Sequence, residues 1–460
     1  MKTGNYYCTW DSQDRYAKQY GIKDCRSAMS EEFLLSDKGV LKNHFKNSRE
    51  DLVVVIDDGW DVPYDAISFD FKTFGSLDLS EERFPSFKGT PEEKLKALSD
   101  KIKDLGYKGL GIWVCINCVT EEEDNRFDEA YARKYWEERA NWCKYADVKY
   151  LKIDWGIYGR DPEYRALVTE SVRKVNPDIM IEHALPFDAY NVGMNEEESE
   201  KIPKILKCSD FYRTYDVLEG LELSVTLARV YGIVNLSEDK ASTPCILNVE
   251  NELKLGATLN SSVGVMSHPL WNNDVENHTK ACTEWHKVSP PVPLTNVRFS
   301  EEKLTDSKNY SYLKEGHWLY NSMYGKEIGI SAPAVIAVNT DLPKVTYSED
   351  NPFIIASENA ESGALSIGFL KRTYKNECGF IKRIDAEISN ANNAPLGVFG
   401  EFKTLSVNYG KEFSKVTLRN LVTGENTDIT ALVTVNKNAL QLDFAKIEEF
   451  VTCGFEITVK

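Results

Sequence analysis

The chain has 460 residues, more than one ordinary hydrophobic core holds, and this length predicts two domains. Hydrophobic residues make up 42% of it and charged residues 28%, a globular balance that argues against long disordered segments. The formal net charge of -17 excludes nucleic acids and anionic membrane surfaces as expected partners, and it is compatible with a neutral sugar.

The apolar runs and the start of the sequence give an expectation for the compartment. No run approaches the ~20 apolar residues that a membrane helix needs. Residues 1–6 lead into a strand-like segment without the charged and apolar regions of a signal peptide. We therefore expect no membrane association and a cytoplasmic protein, or a periplasmic or secreted one if a leader has been removed. The ten cysteines form no dense framework, which favours reduced thiols.

Short apolar runs alternate with helical patterns over residues 1–290, which indicates βα units and a parallel sheet. Eight such runs, in a segment close to the ~250 residues typical of the fold, predict a TIM (β/α)8 barrel. We therefore assign a catalytic barrel domain to residues 1–290. The predicted strands span residues 6–10, 52–57, 109–115, 150–154, 179–183, 211–215, 245–250 and 263–268.

One crossover helix can be read residue by residue. Thr90 followed by Pro91 and Glu93 is a helix start signal, and Gly106 is a stop signal. Between them, apolar residues recur at steps of three and four and form one stripe. The stripe consists of Leu95, Leu98, Ile102 and Leu105.

The pattern changes after the proline-rich segment 289–293. From residue 295 onward, strand-type alternation broken by turn residues predicts a C-terminal antiparallel β-sandwich over residues 295–460. Its sequence has no clear aromatic platform for glycans, so we interpret it as a structural cap on the barrel.

Active sites of TIM barrels form at the C-terminal ends of the strands, so polar residues there are the candidates for chemistry. Lys152 and Asp154 end the fourth predicted strand and, being two residues apart, point to the same face. The lysine charge would keep the carboxylate ionised, as a nucleophile requires. An interior salt bridge with no catalytic role explains the same pattern equally well.

Two further strand ends carry carboxylates. Asp57 and Asp58 close the second strand beside Trp60, where paired carboxylates and an aromatic face can bind sugar hydroxyls. A helix cap or turn is the alternative reading of this pair. Arg213 and Asp216 close the sixth strand, and Asp216 is a candidate second catalytic carboxylate, while Asp210 precedes that strand and should lie near the bottom of the barrel.

Metal and redox sites are not expected. Cys115 and Cys118 form a single CxxC pair without the second pair or the spaced histidines that zinc would need. No second ligand stands at a fitting interval from His268 or His286, so we interpret both as core or supporting histidines. We expect neither a metal nor an organic cofactor.

Three short motifs together resemble glycoside hydrolase families 27 and 36, the group of α-galactosidases and α-N-acetylgalactosaminidases called melibiases. They are Asp-Asp-Gly-Trp at 57–60, Tyr-Leu-Lys-Ile-Asp at 150–154 and Arg-Thr-Tyr-Asp at 213–216. The resemblance covers roughly residues 5–290 in the expected order, and a β-sandwich after the barrel is also similar to that family's architecture.

The resemblance implies a retaining, exo-acting glycosidase that releases a terminal α-galactose or related sugar from an oligosaccharide or glycoconjugate. It implies Asp154 as nucleophile and Asp216 as general acid/base, with their carboxyl groups ~5–5.5 Å apart. It further implies Asp57 and Asp58 at the sugar 4- and 6-hydroxyls. Residues implied to line the pocket are Trp10, Trp113 and Lys152, with Arg213 and Glu182 near the 2-position.

Three segments differ from the family's pattern, and one of them is the strand-seven segment 248–251, which is not a clear match. The strand-six arginine is followed by aspartate after three residues where members often have four. The segment 182–186 matches neither the galactosidase nor the N-acetylgalactosaminidase pattern, which leaves the C2 substituent open. The alternatives are therefore an α-N-acetylgalactosaminidase, a β-L-arabinopyranosidase, a raffinose-synthase-like transglycosylase and a non-catalytic carbohydrate-binding barrel. No oligomeric state follows from the sequence.

Overall fold

The computed structural model contains a barrel followed by β-sheets. It describes residues 3–66, 72–120, 128–185, 196–214, 220–267, 274–314, 320–347, 351–374, 377–378 and 384–460. Among these residues no helix is both long and apolar enough to cross a membrane.

Eight parallel strands form the predicted barrel, which is confirmed. Their order in the sheet is β7-β6-β5-β4-β3-β2-β1-β8, and a parallel bridge between Asn248 and Ser262 joins β7 to the residues just before β8. Each strand lies within one of the eight predicted runs. The strands are β1 Tyr6–Cys8, β2 Val53–Ile56, β3 Gly109–Val114, β4 Tyr150–Ile153, β5 Met180–His183, β6 Phe211–Arg213, β7 Ile246–Asn248 and β8 Gly264–Val265.

Helices connect the strands and cover the outside of the barrel. The predicted crossover helix is α5, in which the Glu93 carboxylate accepts the Thr90 backbone N–H at 2.9 Å and the first three stripe residues are buried. The helices of this part of the chain are α1 Trp10–Tyr20, α2 Cys25–Ala28, α3 Glu31–Leu35, α4 Val40–Asn43, α5 Pro91–Asp104, α6 Glu129–Tyr145, α7 Pro162–Val175, α8 Glu196–Cys208, α9 Glu222–Leu236, α10 Leu253–Leu259 and α11 Val275–His286.

The barrel interior is a packed core beneath the strand ends. Inward-facing side chains of several strands fill it, which leaves the C-terminal ends of the strands as the open face of the barrel. These interior residues are Tyr6, Cys8, Val53, Val55, Tyr150, Met180, Phe211 and Met266.

The C-terminal part consists mainly of an eight-stranded sheet, β22-β21-β25-β19-β15-β14-β12-β9, and a five-stranded sheet, β13-β18-β20-β24-β23. The strands are β9 Val297–Phe299, β10 Lys303–Asn309, β11 Glu327–Pro333, β12 Val335–Val338, β13 Lys344–Tyr347, β14 Phe353–Glu358, β15 Leu365–Leu370, β16 Thr373–Tyr374, β17 Glu377–Cys378, β18 Ile384–Asn390, β19 Leu396–Gly400, β20 Thr404–Tyr409, β21 Val416–Asn420, β22 Asn426–Asp428, β23 Thr434–Asn436, β24 Ala439–Asp443 and β25 Phe455–Val459. The short helices α12 Tyr320–Met323 and α13 Phe444–Ile447 lie between them.

The predicted sandwich is confirmed, although its sheets are mixed rather than purely antiparallel. The pairs β12–β14, β15–β19 and β18–β20 are parallel, while most other pairs are antiparallel. Alternation of apolar residues along a strand reports which face is buried and carries no information on the direction of its neighbour.

The barrel and the sheets share one hydrophobic core. Val225 and Val230 of α9 belong to the same cluster as Ile354 and Ile457 of the large sheet and Leu405 of the small sheet. Through this shared core the sheets pack against one side of the barrel.

Candidate active site

The ends of several barrel strands place charged side chains inside the barrel mouth. Five of the residues singled out from the sequence meet there, and each is at most 8% exposed. They are Asp57 after β2, Lys152 in β4, Asp154 after β4, Glu182 in β5 and Arg213 in β6.

The alternation predicted for β4 agrees with its packing. Leu151 and Ile153 lie in the core between the strands and the helices, and the intervening Lys152 is 2% exposed within the barrel. Asp154 continues on the inner face, because side chains two residues apart in a strand point the same way.

One oxygen of Asp154 is held by a hydrogen bond and by an ion pair. Trp113 Nε1 donates to Asp154 Oδ2 at 2.9 Å, and Arg213 Nη2 lies 3.1 Å from the same atom. The other oxygen, Oδ1, is buried and has no hydrogen-bond partner among the described residues. Burial alone would raise the pKa of the carboxyl, but Arg213 and then Lys152 outweigh burial and hold the pKa below its ordinary value. Asp154 is therefore a carboxylate near neutral pH, with one oxygen fixed and one available.

Lys152 pairs with Asp57 rather than with Asp154. Its ammonium lies 2.7 Å from Asp57 Oδ2. The sequence argument assigned the ionisation of Asp154 to Lys152, whereas the larger effect on the pKa of Asp154 comes from Arg213. The difference arises because the partner of a buried lysine depends on strands that are distant in sequence.

Asp58 is engaged by an arginine that the sequence did not single out. Arg26 of α2 donates from Nε to Oδ1 at 2.9 Å and from Nη2 to Oδ2 at 2.7 Å, a bidentate pair. Burial raises the pKa of Asp58 to about 6 despite the opposing effect of Arg26. Each Asp58 oxygen therefore already accepts a hydrogen bond, whereas Asp154 Oδ1 accepts none from the described residues.

The three predicted tryptophans occupy different environments. Trp113 lies beside Asp154 and packs against Trp155, with ring centroids 5.5 Å apart. Trp10, at the start of α1, is partly buried and packs on the barrel interior. Trp60 is fully buried in the core between strands and helices, where its Nε1 donates to the Trp113 carbonyl at 3.0 Å. This placement makes Trp60 a support for Trp113 and separates it from the charged cluster.

Glu182 is surrounded by donors. Its carboxylate accepts from Tyr6 at 3.2 Å, from Tyr150 at 2.8 Å and from Asn248 at 2.5 Å, and Arg213 Nε lies 3.9 Å away. Burial raises its pKa, opposed chiefly by Arg213. These contacts join β1, β4, β5 and β7 inside the barrel, beneath its mouth.

Glu250, two residues after β7, also belongs to the cluster, and the sequence analysis assigned it no role. Its Oε1 lies 3.5 Å from Arg213 Nη1 and 3.9 Å from Lys152 Nζ. Burial raises the pKa of this carboxyl, against the charges of Arg213 and Lys152. The reasoning applied to other strand ends could have found it, since the seventh predicted strand ends at this residue.

Asp216 lies outside the described residues, so its distance from Asp154 stays a prediction. Asp210, its competitor in sequence, stands just before β6, pairs with Arg173 at 2.5 Å and accepts the Ile181 backbone N–H at 2.9 Å. Asp210 therefore has a structural role at the opposite end of the strand.

The remaining candidates are cysteines and histidines. Cys115 and Cys118 are free thiols, and the described part of the chain contains no group of three or more His, Cys, Asp or Glu side chains arranged to hold a metal ion. His286 is buried and shares a 2.8 Å hydrogen bond with Asn5, while His268 lies outside the described residues.

Solved structures with a similar chain arrangement are glycosidases of several specificities. A Bacteroides fragilis protein provisionally assigned as an α-galactosidase has 11% identity and a TM-score of 0.44, covering 100% of this chain and 79% of its own. A family 27 β-L-arabinopyranosidase from Geobacillus stearothermophilus has 11% identity and a TM-score of 0.44, covering 100% and 97%. An α-amylase from Geobacillus thermoleovorans has 10% identity and a TM-score of 0.47, covering 100% and 98%.

No protein-family model matches the sequence, and no curated protein matches it significantly. Similarity at this level does not fix an activity, so the function must be argued from the side chains at the barrel mouth.

Proposed function

We propose that the protein is a retaining, exo-acting glycoside hydrolase that releases a terminal α-galactose or a related sugar. The observation that carries the proposal is Asp154, a buried carboxylate at a barrel strand end whose pKa is held low. Its Oδ2 is fixed by Trp113 and Arg213, while Oδ1 has no hydrogen-bond partner among the described residues. A nucleophilic carboxylate needs this combination of charge, fixed orientation and one uncommitted oxygen.

In the first proposed step, Asp154 Oδ1 attacks the anomeric carbon and the bond from that carbon to the glycosidic oxygen breaks. The protonated carboxyl of Asp216, a role assigned from the sequence, gives its proton to the departing oxygen. The product is a glycosyl ester of Asp154. Arg213, at 3.1 Å from Oδ2, keeps the attacking group ionised in the free enzyme.

In the second step, a water molecule attacks the same carbon and the ester bond to Asp154 breaks. The Asp216 carboxylate takes the proton of the water and is restored to its acid form. Two inversions at one carbon return the original anomer. No metal ion or organic cofactor is required for this sequence of steps.

The sugar would be bound by the charged groups around Asp154. The Asp57 carboxylate, paired with Lys152 at 2.7 Å, can accept sugar hydroxyls while Lys152 donates to them. Trp10 is only partly buried and can offer aromatic surface to the sugar. Such a site suits a neutral, hydroxyl-rich ligand, in keeping with an acidic protein.

A β-L-arabinopyranosidase is the second candidate, and the Asp58–Arg26 pair favours it. Each oxygen of Asp58 already accepts one hydrogen bond from Arg26, so fewer acceptor positions remain for the 6-hydroxyl that the family resemblance implied for the Asp57–Asp58 pair. A β-L-arabinopyranoside has the hydroxyl layout of galactose and lacks the C6 group. It would therefore need no contact from Asp58.

The test is hydrolysis of p-nitrophenyl α-galactoside, α-N-acetylgalactosaminide and β-L-arabinopyranoside, with the released anomer followed by proton NMR. We expect one of these to be cleaved with retention, and Asp154→Asn to lose nearly all of that activity. Trapping of product by an added acceptor sugar would identify a transglycosylase. Release of the inverted anomer, or unchanged activity in Asp154→Asn, would refute the proposed mechanism. Binding of these sugars without cleavage would favour a non-catalytic barrel.

A further inference from the structure

The turn after β7 holds Glu250 at the barrel mouth. The next residue, Asn251, has a φ of 63°, and its side-chain Oδ1 accepts the backbone N–H groups of Met266 and Ser267 at 2.7 and 2.8 Å. Its own N–H donates to the carbonyl of Gly264 at 2.8 Å. The turn is therefore tied to β8 and the residues after it, and the position of Glu250 is fixed by the barrel.

Glu250 is the weakest partner in the ion pairs that it joins. Arg213 lies closer to Asp154, at 3.1 Å, than to Glu250, at 3.5 Å. Lys152 lies closer to Asp57, at 2.7 Å, than to Glu250, at 3.9 Å. Both cations thus have a nearer carboxylate, so Glu250 is not needed to neutralise either of them.

Negative charge is in excess around these two cations. Lys152 and Arg213 together contact four carboxylates within 4 Å, namely Asp57, Asp154, Glu182 and Glu250. Glu182 is compensated by three side-chain donors, whereas Glu250 Oε1 is buried without a hydrogen-bond partner among the described residues. A buried acceptor left without a donor destabilises the folded protein.

A pyranose ring supplies the missing donors. Its hydroxyl groups can donate to a carboxylate, and a hydrogen bond to a charged acceptor is stronger than one between neutral groups. Because Glu250 Oε1 contacts the same guanidinium that holds Asp154, a sugar positioned for attack by Asp154 would lie within reach of Glu250.

We propose that Glu250 is a specificity-determining residue that accepts a hydrogen bond from one ring hydroxyl of the bound sugar. This inference rests on the proposed function, because it needs a sugar at the barrel mouth. It adds a third carboxylate to the subsite, on a strand for which neither the sequence motifs nor the resemblance implied a contact.

The experiment is calorimetric binding of D-galactose and its 2-, 3-, 4- and 6-deoxy analogues to the wild type, Glu250→Gln and Glu250→Asp. We expect wild-type binding to weaken about tenfold or more for one deoxy analogue. Glu250→Gln should bind galactose about tenfold more weakly than the wild type does. Removing the hydroxyl that matters for the wild type should then weaken binding to this variant by less than about a further twofold. Glu250→Asp keeps the charge but withdraws the oxygen, so it should behave like the glutamine variant.

The matched control is Glu252→Gln, two residues further along the chain at the start of α10, which should bind every analogue as the wild type does. The hydroxyl contact is refuted if, for every deoxy analogue, the fold loss of affinity in Glu250→Gln equals the fold loss in the wild type. The two changes would then weaken binding independently. Full binding by Glu250→Asp would also refute it, because charge alone would then be sufficient. If the wild type binds none of these sugars and cleaves none of the three p-nitrophenyl glycosides named under the proposed function, the proposed function itself fails.

Discussion

Replacing Arg213 by glutamine tests the electrostatic origin of the proposed nucleophile. Arg213 is the main charge that lowers the pKa of Asp154, and its Nη2 lies 3.1 Å from Asp154 Oδ2. Glutamine removes the positive charge and keeps one amide donor on a shorter side chain. A shift of the pKa of Asp154 would therefore report the charge of Arg213, whereas a loss of activity that is equal at every pH would report its role in orienting the carboxylate.

The distance sets an upper limit on the effect. Two unit charges 3.1 Å apart in an effective dielectric of about 20 attract by about 5 kcal/mol, which corresponds to about 4 pKa units. Lys152 remains in the variant and water can enter the space left by the guanidinium, so the full value will not be reached. An arginine beside a carboxylate usually lowers its pKa by about 1–3 units, and we expect Arg213→Gln to raise the pKa of Asp154 by an amount of that size.

The direction follows from the proposed mechanism. Asp154 must be ionised to attack, so kcat/KM falls as the pH drops through the pKa of Asp154 in the free enzyme. In the wild type this pKa lies below its ordinary value, and in Arg213→Gln it rises. The acid limb of the profile should therefore move about 1–3 pH units higher.

The assay is kcat/KM against pH for the glycoside that the wild type cleaves best. The matched control is Arg173→Gln, which breaks the pair with Asp210 at the other end of β6 and should leave the acid limb in place. If Arg213→Gln lowers kcat/KM equally at every pH without moving the acid limb, then Arg213 does not control the ionisation of Asp154. The electrostatic reasoning would then be wrong.

Three other predictions concern the same site. With added azide, Asp154→Gly should convert the substrate to a glycosyl azide of inverted anomeric configuration, which NMR detects. A glycosyl azide of retained configuration would assign the nucleophile to another residue. Burial raises the pKa of Asp58 to about 6, so this residue should lower the urea stability of the wild type by up to about 3 kcal/mol as the pH rises from ~4 to 6, and Asp58→Asn should lessen the fall over this range by that amount. Trp60→Phe removes the donor to the Trp113 carbonyl, so it should lower the free energy of unfolding by about 1–2 kcal/mol and leave KM unchanged. A large change in KM would instead place Trp60 at the sugar.

The strands of the barrel could be predicted because each is a short apolar run bounded by turn residues. A strand buried on both faces is mostly apolar, and β2, with four consecutive buried residues from Val53 to Ile56, illustrates this. Direction in the C-terminal sheets could not be predicted, because β15 and β19 pair in parallel only after the chain has passed through the other sheet.

The sequence located buried charged residues of the barrel mouth where a single strand end carried the signal. Lys152, Asp154 and Arg213 were found because side chains at the ends of barrel strands must converge on one mouth. Arg26 was missed because it lies on the short helix α2, and its contact with Asp58 depends on how that helix folds over the mouth. Such pairings are set by tertiary structure, which local sequence patterns do not report.

The selection of one nucleophile among several buried carboxylates follows from their distances to Arg213. Burial pushes the pKa of Asp154, Glu250 and Glu182 upward alike, yet only Asp154 ends below its ordinary value. The three oxygens lie 3.1, 3.5 and 3.9 Å from guanidinium nitrogens, in that order, and only Asp154 also accepts the indole N–H of Trp113. Because Coulomb attraction weakens with distance while the burial penalty applies to all three, the closest carboxylate is the one whose pKa ends below its ordinary value. The position of the guanidinium, more than the identity of the carboxylates, therefore decides which of them has the lowered pKa that the proposed nucleophile needs.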